Sequence, residues 1–433
     1  MNKDGNKSQV TSNIKNSSGL KDEKESESSS LVTRYSSLSY CVRCGACKEL
    51  CPTYIEDSTE GMGARGRLML LRVLAGGDIE PSKDLDERIF SCMLCGACNS
   101  ICPLGINITG AIYKYRRDLR VPNNKRTFIS LWVKFALKRA TTGFRILKFI
   151  EGVGEVFPVY RLKPFKILRE IGVGSLDAPL RDSASIFKVS RPKGRIAVFA
   201  GCTANFLYPG IGRSLIRSLN AMSYEVILPK GEACCGAPLM GLGLEDAAVR
   251  LAEKNMKTFK KMKVEAVISL CPTCVHFIRN EYKGLVGDSI ENAMEVSQFF
   301  SDKLSAIGNL KDSHSLPLSG SSLKVVYHDP CHSLYSLNVS AEPRQILRSM
   351  GLDLVEAERG CCGFGGTFRL LYQDLSESIL KKRVEGYRKA DMIVTSCPNC
   401  MVQLRSRVKD RQVKHIVELI EEAVQGDRDE KER

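Results

Sequence analysis

The chain has 433 residues, enough for two or three domains with cores of their own, and its hydrophobic content of 43% is ordinary for a soluble protein. These values exclude a fibrous or a mostly disordered protein. The net charge of +15 would suit nucleic-acid binding, but residues 111–195 hold 20 Lys/Arg against 6 Asp/Glu, so the excess is local and we expect no nucleic-acid partner.

The 18 cysteines are expected to be reduced and to bind metal. A secreted disulfide scaffold is the alternative, but residues 1–30 contain no apolar signal-peptide core. No uninterrupted apolar run of about 18 residues, the length of a membrane-spanning helix, occurs in the sequence. We therefore expect a cytoplasmic location.

Residues 1–36 are rich in Ser, Lys, Asn and Glu and have almost no large apolar side chains. Such a composition buries too little apolar surface to offset the entropy of ordering. A disordered tail is predicted.

Residues 37–120 contain the pattern C-x2-C-x2-C-x3-C-P twice, which is typical of a two-cluster ferredoxin. Three thiolates at this spacing surround one cluster, and the proline turns the chain so that the fourth thiolate reaches the other cluster. We expect two cubane [4Fe-4S] clusters, one on Cys41, Cys44, Cys47 and Cys102, the other on Cys92, Cys95, Cys98 and Cys51. Zinc knuckles or buried free thiols are the alternative, but zinc requires neither the second x2 step nor the Cys-Pro pair. Between the motifs, residues 61–76 predict a turn followed by a basic helix.

Residues 121–194 are predicted to form a basic amphipathic connector. From Thr127 to Gly174, large apolar side chains alternate with Lys and Arg. Such a stretch suits contact with an anionic membrane surface. A pair of connector helices packed on the neighbouring domain is the alternative.

From Arg195 onward, short apolar runs alternate with helical stretches, which predicts parallel βαβ units. The same order occurs in residues 195–310 and 323–424, and an internal duplication is the simplest account. Strands are expected at Arg195–Ala200, Glu225–Leu228, Ala266–Leu270, Leu323–Tyr327, Asp353–Glu356 and Met392–Thr395. Helices are expected at Ile211–Met222, Ala247–Met262, Val275–Tyr282, Pro343–Met350, Leu375–Tyr387 and Met401–Arg407. The predicted fold class is α+β or α/β, with a helical two-cluster ferredoxin-like domain followed by two duplicated parallel βαβ domains.

Each duplicated domain carries five cysteines, in groups of one, two and two along the chain. The first set is Cys202, Cys234, Cys235, Cys271 and Cys274, and the second set is Cys331, Cys361, Cys362, Cys397 and Cys400. Each group follows a predicted strand, so the carboxyl edge of a parallel sheet would gather the sulfur atoms. Cys271 and Cys397 each precede a proline that starts a helix, and the positive end of a helix lowers the pKa of a thiol.

Five thiolates exceed the four ligands of tetrahedral zinc or of a plain cubane, so a larger or irregular cluster fits better. Zinc, and an exchangeable dithiol at Cys234 and Cys235, stay open as alternatives. His328 and His332 flank Cys331 and are interpreted either as proton donors or cluster neighbours, or as ordinary hydrogen-bonding residues near a helix start.

The segments Cys234-Cys235-Gly236 and Cys361-Cys362-Gly363 resemble the CCG domains, named for this tripeptide, of heterodisulfide reductase B subunits and of glycolate and lactate oxidation complexes. Together with the ferredoxin motifs and the segment Gly63-Ala64-Arg65-Gly66-Arg67, they make residues 37–420 most similar to the iron-sulfur subunit of glycolate oxidase. That subunit usually has Pro where this chain has Ala64, and it often lacks the pair that Cys397 and Cys400 complete here. The latter feature is closer to lactate-type and heterodisulfide-type relatives. The resemblance implies a noncubane [4Fe-4S] cluster on each five-cysteine set.

Iron-sulfur clusters pass single electrons, and the sequence has no motif for a flavin, nicotinamide or nucleotide site. The resemblance implies an electron-transfer subunit of a complex in which a FAD-containing partner oxidises a 2-hydroxy acid, glycolate or lactate. Electrons would then pass to a quinone or another carrier. The alternative is a heterodisulfide reductase-type subunit in which a noncubane cluster reduces a disulfide. No residue is assigned a catalytic role.

Overall fold

The computed structural model describes residues 40–118, 121–138, 178–182, 185–304 and 323–431. The predicted tail of residues 1–36 lies outside these ranges. So does most of the predicted basic connector, from residue 139 to residue 177.

Residues 40–118 are helical. The helices are α1 (Ala46–Glu49), α2 (Pro52–Asp57), α3 (Ala64–Ala75), α4 (Lys83–Phe90), α5 (Ala97–Ile101) and α6 (Ile108–Asp118). A short 3-10 turn at Glu60–Met62 precedes α3, so the predicted turn and basic helix are confirmed. α1 and α5 start inside the two cysteine motifs, each after a glycine with positive φ, 86° at Gly45 and 80° at Gly96. Residues with a side chain rarely adopt this backbone conformation. Glycine therefore lets each motif fold back on itself.

Helix α7 (Asn124–Lys138) follows the ferredoxin-like part. Its buried face is anchored by Arg126, which forms an ion pair with Asp86 and lies 3.7 Å above the ring of Phe90. At the same end, Lys125 Nζ donates a 2.6 Å hydrogen bond to the carbonyl of Leu371. α7 therefore packs against both the ferredoxin-like part and the C-terminal half of the chain.

The first of two sheets lies between residues 186 and 295 and has the order β1-β3-β2-β4-β5. Its strands are β1 (Ile186–Phe187), β2 (Gly194–Phe199), β3 (Tyr224–Ile227), β4 (Ala266–Ser269) and β5 (Ala293–Glu295). β1 runs antiparallel to β3, and the other neighbours are parallel. The helices around it are α8 (Gly201–Phe206), α9 (Pro209–Ala221), α10 (Ala237–Gly241), α11 (Glu245–Phe259), α12 (Pro272–His276), α13 (Tyr282–Val286) and α14 (Val296–Ser301). A π-helical turn at Phe277–Glu281 joins α12 to α13.

The second sheet is all parallel and has the order β7-β6-β8-β9. Its strands are β6 (Lys324–Tyr327), β7 (Asp353–Leu354), β8 (Met392–Thr395) and β9 (Gln412–His415). Its helices are α15 (Cys331–Tyr335), α16 (Ala341–Ser349), α17 (Thr367–Leu371), α18 (Gln373–Glu385), α19 (Pro398–Arg407) and α20 (Ile416–Lys431). Without β1, the first sheet has the same strand order, so the predicted duplication and fold class are confirmed.

The two sheets belong to one hydrophobic core. Residues 196–199 of β2 are completely buried, as expected for a central parallel strand covered on both faces. The second half joins the first through β9, where His415 Nε2 lies 3.1 Å from the carbonyl oxygen of Leu270. Further contact comes from α20 on α9, where Arg217 Nη2 donates to Glu421 at 2.9 Å. The carboxyl edges of both sheets consequently share one interior space.

Candidate iron-sulfur sites

The ferredoxin-like part encloses a small cavity near its surface, here called the outer cavity, of about 30 Å³. Cys44, the most accessible of its cysteines, is exposed to solvent. The cysteines that line the outer cavity are Cys41, Cys44, Cys47 and Cys102. Three of them come from the first motif and one from the end of the second.

A second cavity of about 20 Å³, here called the inner cavity, lies deeper. Its cysteines are Cys51, Cys92, Cys95 and Cys98. Both groupings are those that the crossed ligation requires. The ligand assignment itself stays a prediction, which the placement of these eight sulfur atoms supports.

Each small cavity has one arginine of the Arg65-Gly66-Arg67 segment in its lining. Arg65 is partly exposed and donates to the carbonyl of Arg43 at 3.0 Å and to Glu60 at 2.6 Å. Arg67 is 1% exposed, and its Nη1 lies 4.0 Å from the Sγ of Cys51. Both side chains reach their sites because α3 starts close to the 3-10 turn.

Arg67 is held entirely by neutral groups. Its guanidinium donates to Thr53 Oγ1 at 3.0 Å, to Ser91 Oγ at 2.9 Å and to the carbonyl oxygen of Arg88 at 2.7 Å. No carboxylate among the described residues forms an ion pair with it. A buried cation without a counterion is costly, so an anionic group in the inner cavity would stabilise it.

Two thiols in the ferredoxin-like part, those of Cys47 and Cys95, have raised pKa values because they are buried and lie close to other thiols. Burial and then the neighbouring Cys41 raise the pKa of Cys47. Burial and then Cys331 raise the pKa of Cys95. Such groups become thiolates readily only beside a positive charge, which a bound metal supplies.

A third, central cavity has a volume of about 400 Å³. All ten cysteines of the duplicated domains line it, namely Cys202, Cys234, Cys235, Cys271, Cys274, Cys331, Cys361, Cys362, Cys397 and Cys400. The expectation that the parallel sheets bring these ten cysteines to one place is therefore confirmed. Cys271 and Cys397 are the N-caps of α12 and α19, with proline at the first helical position in both cases.

Each five-cysteine set contains at least one thiol with a lowered pKa. Contact with Cys234 and then Cys274 lowers the pKa of Cys235 to about 6. In the second set, contact with Cys361 and then Cys400 lowers the pKa of Cys362, whose Sγ lies 3.6 Å from that of Cys400. A thiolate is the form that binds metal.

The two sets meet inside the central cavity. Cys271 of the first set and Cys397 of the second lie close enough for each thiol to influence the pKa of the other. Asn399 bridges them further, because its amide nitrogen lies 3.6 Å from the Sγ of Cys271 and its oxygen accepts a 2.7 Å hydrogen bond from Thr203. No pattern in the sequence indicated that the two sets would share one cavity.

The inner cavity adjoins the second set. Cys92 and Cys95 line both the inner and the central cavity. Gly96, which precedes α5, faces α15 so closely that a Cβ atom added to it would lie 3.2 Å from the Oγ of Ser336. The cysteine sites therefore follow one another from the surface to the central cavity.

Two other residues of the central cavity were missed by sequence reasoning. Arg116 is buried and donates to the carbonyl oxygens of Gly241 at 2.8 Å and Cys92 at 2.7 Å. Thr273 lies 3.2 Å from the Nδ1 of His332, and burial and then His276 lower the pKa of His332 to about 3. Neither Arg116 nor Thr273 belongs to a spaced pattern that could have revealed it.

Comparison with protein families accounts for every cysteine of the chain. A family described as a cysteine-rich domain matches residues 196–279 and 325–405, and one described as a 4Fe-4S dicluster domain matches residues 37–106. The chain is an iron-sulfur protein with one dicluster domain and two cysteine-rich domains. The predicted domain types are thereby confirmed.

Relatives of this iron-sulfur protein are subunits of larger oxidoreductases. One subunit of the fumarate reductase (CoM/CoB) of Methanothermobacter marburgensis is 28% identical over 408 residues, which cover 89% of this chain and 72% of the relative. A probable glycolate oxidase iron-sulfur subunit from Bacillus subtilis is also 28% identical, covering 84% of this chain and 88% of the relative. One subunit of the dihydromethanophenazine:CoB–CoM heterodisulfide reductase of Methanosarcina barkeri is 25% identical, covering 89% and 94%. The iron-sulfur protein is thus an electron-transfer subunit related to both groups that the sequence resembled.

The sites of this iron-sulfur protein fit the clusters that its domains indicate. Four convergent sulfur atoms surround each small cavity, five more on each side line the central cavity, and Arg67 supplies a buried positive charge. Among the described helices, none has both the length and the apolar character needed to cross a bilayer.

Proposed function

We propose that this chain carries electrons for a complex in which a FAD-containing partner oxidises a 2-hydroxy acid, glycolate or lactate. The observation that supports this most is the row of cysteine sites, from exposed Cys44 through the inner cavity to the central cavity. Such a row suits the transfer of electrons between a docked partner and a second redox site. The names of relatives such as the Bacillus subtilis protein point the same way.

When bound, the iron-sulfur clusters supply one-electron carriers. The chain's own residues position the sulfur donors, exclude water from the inner sites and place cationic side chains beside them. We propose cubane [4Fe-4S] clusters for the two ferredoxin sets and noncubane [4Fe-4S] clusters for the two five-cysteine sets, with zinc as the lesser alternative at the latter. The final acceptor is proposed to be a quinone or another carrier.

Reduction of a disulfide in the central cavity is a second candidate. One observation favours it: both five-cysteine sets are complete and face the same cavity of about 400 Å³, where Cys271 meets Cys397. A substrate disulfide could reach both sets at once. Relatives named as heterodisulfide reductase subunits support this alternative.

One pair of anaerobic experiments separates the two candidates. In the first, glycolate or lactate is added to the holoprotein with and without its flavoprotein partner, and bleaching of the visible cluster absorbance is followed. The hydroxy-acid proposal expects bleaching only when the partner is present.

In the second experiment, chemically reduced holoprotein is mixed with a thiol heterodisulfide. A Cys362→Ala variant serves as the control because the ferredoxin sets stay intact. Rapid reoxidation by the disulfide alone, lost in the variant, would favour the second candidate and refute the first.

We further propose a cytoplasmic location with peripheral contact to an anionic membrane through α7. The side chains of Phe128, Leu131, Trp132 and Phe135 lie at helical spacing and are between 51% and 72% exposed. No acidic residue occurs in α7, and Lys134 is exposed beside this apolar stripe. Trp132 also lines the central cavity, so docking of α7 would bring the rim of that cavity to the lipid surface. A lipid-soluble quinone would then have a short approach to the cysteine sites.

A further inference from the structure

The two duplicated domains differ at one buried position beside their cysteines. Phe199 ends β2 three residues before Cys202, and His328 follows β6 three residues before Cys331. Each packs on an aromatic ring at or just after the end of the helix that precedes β4 in the first domain and β8 in the second. In the first domain the partner is Phe259, with ring centroids 5.4 Å apart, and in the second it is Tyr387, at 6.0 Å. A phenyl pair in one domain thus corresponds to an imidazole and a phenol in the other.

Only one of the two ring nitrogens of His328 has a hydrogen-bond partner among the described residues. The side chain is 1% exposed, and its Nδ1 lies 2.7 Å from the hydroxyl oxygen of Tyr387. Its Nε2 is buried and has no hydrogen-bond partner among the described residues. A ring nitrogen of His328 and the Sγ atoms of Cys362 and Cys400 all lie within 4.8 Å of one another. Because Tyr387 engages Nδ1, Nε2 is the nitrogen left to interact with the second five-cysteine set.

The fold does not need this polar pair. Phe199 and Phe259 fill the corresponding space of the first domain with apolar rings, which bury no unsatisfied polar atom. Burying an imidazole nitrogen without a partner costs free energy, so the arrangement is stable only if an acceptor or a metal completes it. A centre held by the second set would provide sulfur acceptors for Nε2.

We infer that His328 donates a hydrogen bond from Nε2 to a sulfur atom of the iron-sulfur centre on the second set, and that this centre has a higher reduction potential than its counterpart on the first set. The Tyr387 hydroxyl donates to Nδ1 and thereby keeps the proton on Nε2. Hydrogen bonds to cluster sulfur stabilise the more negative, reduced form. The inference rests on the proposal that both sets hold iron-sulfur centres. It does not depend on whether the substrate is a 2-hydroxy acid or a disulfide.

The centre with the higher reduction potential is the one that lies beside the ferredoxin-like domain. The second set lies against the inner cavity, where Cys95 of the ferredoxin-like domain interacts with Cys331. The first set adjoins the second through Cys271 and Cys397. An electron is therefore held preferentially at the centre that adjoins the ferredoxin-like domain. His328 and Tyr387 act as positioning residues for this distribution.

The test uses the anaerobically purified holoprotein and the double variant His328→Phe/Tyr387→Phe. This variant copies the phenyl pair of the first domain, so we expect it to fold and to retain the iron content of the parent protein. In an EPR-monitored redox titration, the midpoint of one cysteine-rich centre should fall, while the other centre and the ferredoxin clusters stay in place as internal controls. At the parent midpoint, the ratio of reduced to oxidised second centre should drop about tenfold, which corresponds to about 59 mV for one electron. Tyr387→Phe alone should give a smaller shift in the same direction.

Hyperfine spectroscopy provides the second readout. An exchangeable proton coupled to the second centre should be present in the parent protein, exchange in D₂O and be absent in the double variant. Unchanged midpoints at full iron content would overturn the inference. A strong nitrogen coupling, typical of an iron-bound imidazole, would also overturn it by making His328 a ligand. Absence of any cluster signal from both five-cysteine sets in the parent protein would instead refute the proposed cofactors.

Discussion

The Sδ of Met93 and the Sγ of Cys361 lie 3.9 Å apart, in the contact between the ferredoxin-like domain and the second cysteine-rich domain. Met93 stands between two cysteines of the inner cavity, and Cys361 opens the Cys-Cys-Gly segment of the second set. This contact between side chains connects two sites through residues that are 268 positions apart in the sequence. The contact places the inner cavity beside the second five-cysteine set.

Replacing Cys51 should damage the cluster that is held mainly by the second ferredoxin motif. Cys51 belongs to the first motif, but its sulfur lines the inner cavity with Cys92, Cys95 and Cys98. The parent holoprotein should contain about 16 iron atoms, and Cys51→Ala should lose up to about four of them. Iron analysis and EPR spectroscopy measure the loss. Cys102→Ala is the matched control and should affect the other ferredoxin cluster, whereas loss of the same EPR signal in both variants would contradict the crossed ligation.

Arg67→Met should lower the reduction potential of the inner ferredoxin cluster. The guanidinium lies 4.0 Å from the Sγ of Cys51, and its positive charge favours the reduced cluster. The variant also leaves Thr53, Ser91 and the carbonyl of Arg88 without their donor, which should reduce the free energy of unfolding by about 2–4 kcal/mol. Redox titration and denaturant unfolding measure the two effects.

Arg67→Lys and Arg72→Met are the controls for this prediction. The lysine variant keeps the charge but not the forked hydrogen bonds, so it should recover more of the potential than of the stability. Arg72 lies on the exposed face of the same helix, and its replacement should leave the inner cluster's potential unchanged. An equal shift in the Arg67→Met and Arg72→Met variants would show that local charge at Cys51 is not the cause.

Gly66→Ala should prevent α3 from packing against the turn before it. A Cβ atom at this position would lie 1.8 Å from the carbonyl oxygen of Glu60, closer than any real contact. The backbone at Glu60 or at the start of α3 must move to relieve this clash. We therefore expect the free energy of unfolding to fall by about 3 kcal/mol or more, and both ferredoxin clusters to bind more weakly. Gly210→Ala in α9 is the control, since a Cβ there meets nothing within 4 Å and should change stability by about 1 kcal/mol or less. Similar unfolding midpoints for the two variants would contradict the packing argument.

Binding of the holoprotein to anionic vesicles should depend on α7. Lys134→Glu should weaken binding to phosphatidylglycerol vesicles several-fold, because each basic charge near such a surface contributes about 1 kcal/mol. Replacing Phe128 and Leu131 by Ser should weaken it further by removing exposed apolar area. Sedimentation with vesicles at several salt concentrations measures the effect, which should fade as salt screens the charges.

The control for vesicle binding is Lys257→Glu, which changes an exposed lysine on α11. It should leave binding nearly unchanged. Failure of the parent protein to bind at low salt, or binding that is indifferent to salt and to Lys134, would leave α7 as a connector helix only.

The domain types, the groups of cysteines and most of the parallel strands can be predicted from the amino-acid sequence alone. Met392–Thr395 was predicted with the bounds of β8, because a central parallel strand is a short continuous apolar run. The cysteine motifs were equally readable, since cluster chemistry constrains the spacing of ligands along the chain. The strands β1, β5 and β9 were missed, because they are short edge strands whose pairing depends on a neighbour far away in sequence.

The positions of the sites relative to one another depend on tertiary packing and cannot be predicted from local sequence patterns. The meeting of Cys271 with Cys397, and the approach of Arg67 to Cys51, depend on packing between segments that no local pattern connects. The difference between Phe199 and His328 is visible in the sequence, but its meaning is not. Its significance follows from the burial of the imidazole beside the Sγ atoms of Cys362 and Cys400, where solvent cannot complete the hydrogen bonds of Nε2.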